Sequence, residues 1–78
     1  MFLNKAPDGT NNICRKQVTA LRKKQRLSQR ELADRLRQHG LGVTKNAIQR
    51  IESGERFVTD IELKALAKAL EVRVCDLV

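Results

Sequence analysis

Three places in this chain carry the same start signal for a helix, and they leave little choice of fold. In "LSQREL", Ser28 stands three residues before Glu31 as a capping box, and Leu27 with Leu32 forms a hydrophobic staple around it. In "VTDIEL", Thr59 and Glu62 repeat the box while Val58 and Leu63 repeat the staple. In "VTKNAI", Thr44 is a good cap and Val43 with Ile48 gives the staple, but the third helical position holds Ala47 instead of an acid. Three such starts in a chain of 78 residues predict a bundle of helices.

The remaining pattern fits around them. Cys14, Val18 and Leu21 recur at spacings of four and three, so a first helix is expected from about Ile13 and ends by Arg26. The second helix runs from Ser28 through Leu36 to about His39, where Gly40 is free to take the left-handed conformation that ends it. The fourth shows Leu63, Leu66, Ala67 and Leu70 on one face, and "VRVCDLV" offers Val74, Leu77 and Val78 for a short fifth. No stretch alternates with period two for more than a few residues, so no strand is expected and the fold class is all-α. Residues 1–12, "MFLNKAPDGTNN", show no period and read as a flexible arm before one domain at 13–78. A 41% hydrophobic content and a single proline suit one small core with little room for a catalytic cavity.

Charge is unevenly placed. The net charge of +7 favours a polyanionic partner. Between Arg15 and Arg50 eleven basic residues face two acidic ones, whereas from Ile51 onward four basic residues meet six acidic ones. One part of the molecule is built to meet negative charge and the rest is not. "MFLN" is too short and polar to begin a signal peptide and no window suits a membrane span, which points to the cytoplasm. Cys14 and Cys75 have no metal-ligand spacing with the one histidine, His39, and each reads as a small buried hydrophobe.

The third helix is the odd one. A first-turn carboxylate would favour the helix dipole, and one physical reason to omit it is that a second anion, such as a phosphate, must approach that end. Around the helix Ala47, Ile48 and Ile51 cover a narrow apolar arc, and Lys45, Asn46, Gln49 and Arg50 fill the opposite side. Asn and Gln can bond an adenine edge with two hydrogen bonds, while Lys and Arg suit guanine or phosphate. An ordinary solvated face is the plain alternative.

Three segments in order, "LRKKQRLSQRELADRL", "GVTKNAIQRIESGE" and "ELKALAKAL", give the run from Val18 to Leu70 a wider meaning. This run resembles the Cro/CI-type helix-turn-helix family, also called XRE-like, of phage repressors and small bacterial regulators. The resemblance implies a compact five-helix domain whose third helix enters the DNA major groove while the second lies across the backbone. Position by position it implies base reading by Lys45, Asn46, Gln49 and Arg50. It implies backbone contacts from Gln29 and Thr44, and from Ser53, Arg56 and the amides of the "ESGERF" loop. It also implies a half-buried salt bridge between Arg22 and Glu52, each of which borders the apolar face of its own helix. The chain departs from the family between Leu36 and Gly42, where "RQHGL" lengthens the second helix or its turn. Arg35, Arg37 and His39 around it either widen the backbone contact or coat the longer helix, and coating is the expectation.

Other functions fit less well. Phe2 and Phe57 are the only aromatics, too few for stacking on single-stranded RNA, and Phe57 is expected to pin its loop to the core. No nucleophile, base and orienter stand together, so no enzyme, cofactor or metal is expected. A membrane-surface helix would need a broad apolar face with aromatics. The serious competitor is an antitoxin-type role in which a cognate protein is the main partner, although no surplus apolar stripe is visible. The expected function is a sequence-specific duplex-DNA-binding transcriptional regulator, a repressor acting as a homodimer, with the Val74 to Val78 segment as the dimer surface.

Overall fold

A computed structural model describes residues 12–78. The expected arm thus lies outside the described residues, except for its last member, Asn12. Four helices follow one another, α1 Arg15–Lys24, α2 Gln29–Gln38, α3 Lys45–Ser53 and α4 Asp60–Ala69, and no strand occurs among the described residues. The expected fifth helix is only a 3-10 turn, Val74–Asp76, closed by Asp76, whose carboxylate accepts from the Arg73 amide at 3.0 Å. Seven residues containing two exposed valines bury too little to offset the cost of nucleating an α-helix, and the segment is anchored by the buried Leu77 with the partly buried Val72.

The helix starts form as their sequence grammar dictates. Ser28 and Glu31 complete a reciprocal box, and so do Thr59 and Glu62. Leu27, Leu32, Val43 and Ile48 are buried, and Val58 and Leu63 pack against the same core. At the other end all four helices close alike. The amides of Arg26, Gly40, Gly54 and Glu71 bond back to Lys23, Arg37, Ile51 and Lys68. Those of Leu27, Leu41, Glu55 and Val72 reach one residue deeper, to Arg22, Leu36, Arg50 and Ala67. This is the Schellman arrangement, and it requires a left-handed residue at its centre. Gly40 and Gly54 adopt φ of 86° and 84° without a Cβ penalty, but Arg26 and Glu71 adopt 57° and 58° as ordinary residues. A hydrophobic residue follows in three of the four, and in α3 it is replaced by Glu55.

The core is built from Val18 of α1, Leu32 and Leu36 of α2, Ile48 of α3, Leu66 of α4, and Leu70 and Leu77 beyond it, all fully buried. α3 packs on both α1 and α2, while α4 packs on α2 and the 3-10 turn. Leu32, Leu36 and the rest thus hold α2 centrally, with α3 to one side.

Side chains account for three differences from expectation. Phe57 is 52% exposed and does not pin its loop. That work falls to Asn12, which is buried and whose Nδ2 donates to the carbonyls of Ile51 at 3.1 Å and Arg56 at 2.9 Å. Of the two cysteines, Cys14 is buried and Cys75 is exposed. Burial pushes the Cys14 thiol up, against a smaller opposing backbone hydrogen bond, and so keeps its proton available to donate to Asn12 Oδ1 at 3.5 Å. Arg35 does not coat a helix either. Its Nη1 donates to Gln25 Oε1 at 3.1 Å and to the Ala69 carbonyl at 3.2 Å, tying α2 to the first turn and to the end of α4. Arg37 reaches over the Gly40 turn toward the Val43 carbonyl at 3.5 Å and pairs with Asp34 at 3.6 Å.

Candidate nucleic-acid interface

α3 is fastened by Ala47, Ile48 and Ile51, all buried, and this sets which side of the helix faces out. Lys45, Asn46, Gln49 and Arg50 are all exposed on that outer side. Among the described residues no hydrogen bond or ion pair holds the side chains of Lys45, Asn46 or Gln49. Arg50 has a loose neighbour, Glu55, at 3.8 Å, and with both side chains about two-thirds exposed the pair contributes little. Thr44 caps the helix, its Oγ1 accepting from the Ala47 amide at 3.3 Å, and no acid occupies the first turn. The positive end of the α3 dipole is therefore left uncompensated by any side chain of that turn.

Behind this face one carboxylate takes three donors. Arg22 Nε lies 2.6 Å from Glu52 Oε2, Arg22 Nη2 lies 3.0 Å from Oε1, and Gln29 Nε2 donates to the same Oε1 at 3.2 Å. Arg22 also donates through Nη1 to the Leu27 carbonyl at 2.7 Å. With side chains only 12% and 8% exposed, Arg22 and Glu52 fix α1, the entry to α2 and α3 relative to one another. Gln29 thus faces inward to Glu52 as well as lying at the first position of α2.

The loop after α3 is arranged differently from expectation. The amides of Gly54, Glu55 and Arg56 all donate to carbonyls of α3, so they are engaged internally. What the loop presents outward is side chains: Ser53, exposed, with its hydroxyl donating to Arg50 O at 3.1 Å, and Arg56, partly exposed. Arg56 Nη2 donates to Glu62 Oε2 at 2.5 Å. Burial would raise the Glu62 carboxyl, but the Thr59 amide and the Arg56 guanidinium outweigh it and hold the group below its ordinary range.

The structure therefore brings Arg22, Gln29 and Glu52 into one cluster and sets Lys45, Asn46, Gln49 and Arg50 along one helix side, with Ser53 and Arg56 just beyond its end. Sequence reasoning missed Asn12 and Arg35, whose bonds span 39 and 34 residues, and it missed the Arg56 and Glu62 pair six residues apart. Only the last left a local signal, since Glu62 was already marked as a box acid. Among the described residues no group of His, Cys, Asp or Glu could hold a metal ion, and no helix is long and apolar enough to cross a membrane.

Two consecutive helices with a short connection, the second exposing a row of polar donors, define a helix-turn-helix. The helix-turn-helix family model matches residues 18–77, and the chain belongs to that family, in its Cro/CI-type, XRE-like form. It is a DNA-binding helix-turn-helix regulator. No curated protein and no solved structure matches the chain.

Proposed function

We infer that the chain reads a specific duplex sequence and represses transcription by occupying it. The observation that carries this reading is the side of α3 itself: four exposed donors, three of them unengaged among the described residues, on a helix with no first-turn acid. Nothing in the fold needs those side chains, and their chemistry is that of base edges. In this reading Lys45, Asn46, Gln49 and Arg50 discriminate bases, while Gln29, Thr44, Ser53 and Arg56 meet the phosphate backbone and fix the register. The exposed basic residues between Arg15 and Arg50 supply the salt-dependent attraction, while Arg22 and Arg35 are engaged inside the fold. A single domain spans only a few base pairs, so a homodimer in the cytoplasm, joined through the exposed Val74 and Val78, completes the operator complex.

Selection from a random duplex pool with the purified chain tests this directly. Enrichment of a palindrome with half-sites about ten base pairs apart is expected. Salt-sensitive binding to every duplex alike, with no enriched motif, overturns it. Within the selected site, Arg50→Ala is expected to relax the preference at one position, and a uniform loss across all sequences would make Arg50 a phosphate contact.

A further inference from the structure

The segment between Leu36 and Gly42 and the outward side of α4 play no part in the reading above, yet together they form a groove of about 180 Å³. Its apolar floor is Leu41, Ile61 and Ala65, and Lys64, Lys68 and His39 stand at its edge. No residue of α3 contributes to it. Ile61 is 73% exposed, the most exposed of the large hydrophobic residues described.

On α4, Ile61 and Ala65 are one turn apart, as are Lys64 and Lys68, which sets an apolar row beside a basic one. The two lysines have no salt bridge among the described residues. Of the neighbouring acids Glu62 takes Thr59 and Arg56 and Asp34 pairs with Arg37, while Asp60 Oδ1 accepts from the Ile61 amide at 2.9 Å and keeps its charge. The groove is smaller than the sites that enclose a cofactor, which begin near about 300 Å³. It suits an aliphatic side chain delivered by another chain.

We propose that this groove binds an acidic amphipathic helix of a partner protein. One large aliphatic side chain of that helix rests on Leu41, Ile61 and Ala65, and carboxylates one turn apart meet Lys64 and Lys68. The charge complementarity selects an acidic partner, and the exposed isoleucine selects a protein over a duplex, because a phosphate backbone cannot cover an apolar side chain. A lipid surface would ask for aromatics and a broader apolar face than these three residues give. The proposal does not depend on the DNA-reading assignment.

The test is selection of displayed random 16-residue peptides on the full chain, followed by affinity measurement of the winners against three variants. Expected winners combine at least two carboxylates with a large aliphatic residue. They lose affinity on the order of tenfold with Lys64→Glu plus Lys68→Glu, and with Ile61→Ser, but not with Lys45→Ala plus Arg50→Ala. All these positions are exposed, and circular dichroism is the check that each variant folds. The proposal is overturned by no enrichment, by winners lacking carboxylates, or by winners that depend on Lys45 and Arg50 instead. It is equally overturned if Lys64→Ala plus Lys68→Ala lowers duplex DNA binding as much as Lys45→Ala plus Arg50→Ala does, since the groove would then belong to the nucleic-acid surface.

Discussion

Arg22 Nε sits 2.6 Å from Glu52 Oε2, and the remaining oxygen of that carboxylate is shared by Arg22 Nη2 and Gln29 Nε2. Removing the arginine leaves a nearly buried carboxylate with a single amide donor and also strips the Leu27 carbonyl of its partner. Arg22→Ala is therefore expected to cost about 3 kcal/mol in urea denaturation. Replacing both members by methionine is expected to recover most of that loss, because no charge is then stranded. A parent-like stability for Arg22→Ala would reduce the pair to two surface charges.

Arg35 and Arg37 are two residues apart and look equivalent in sequence, but only Arg35 bonds a distant carbonyl, that of Ala69. Arg35→Ala is expected to lower stability by about 2 kcal/mol, the range for a hydrogen bond made by a charged group. Arg37→Ala, which loses an exposed pair with Asp34, is expected to change it by less than about 0.5 kcal/mol. Thermal or chemical unfolding of the two variants side by side decides the matter.

Glu71 occupies the left-handed position that closes α4, with φ of 58°. Glu71→Gly removes the Cβ clash and is expected to raise stability by about 1 kcal/mol. At the matching place after α2, Gly40→Ala is expected to cost about 1 kcal/mol, although a Cβ there would meet nothing within 4 Å. The strain is in the backbone alone.

Glu62 is held below its ordinary 4.5 despite its burial. As pH falls the unfolded chain takes up this proton first, so the stabilisation is complete above about 4.5 and disappears as pH drops through the lower folded value. Glu31, lowered by the Ser28 amide and then by its hydroxyl, acts in the same direction. Glu62→Gln keeps the capping geometry but loses the Arg56 pair, so its deficit should be largest at neutral pH and vanish in acid. The same variant frees Arg56, and if that residue meets phosphate, nonspecific duplex affinity should rise on the order of threefold at low salt. Unfolding curves from pH 2 to 7, with binding at two salt concentrations, measure both effects.

What could be read from the sequence was whatever closes over a few residues. The boxes at Ser28 and Thr59 and the left-handed glycine at 40 are local chemistry, and each helix boundary they imply is present. Arg26 and Glu71 close helices just as Gly40 and Gly54 do, yet nothing in their side chains announces it, because the following Leu27 and Val72 draw the backbone over. Asn12 looked like part of a polar arm since its partners lie 39 and 44 residues away. Of the candidate site, the polar side of α3 was legible because three small and branched apolar residues fix its orientation. The inward turn of Gln29 and the internal use of the loop amides were not, since both depend on how α2 and α3 meet.

Asn12 joins the carbonyl of Ile51 to that of Arg56, so the stretch between them is already fastened from the protein side. A surface arranged in advance gives up little freedom when a partner arrives, and the entropy that a slack loop would surrender on association is never charged against affinity. Cutting that one amide, as in Asn12→Ala, would leave the stretch to order itself whenever it meets a partner.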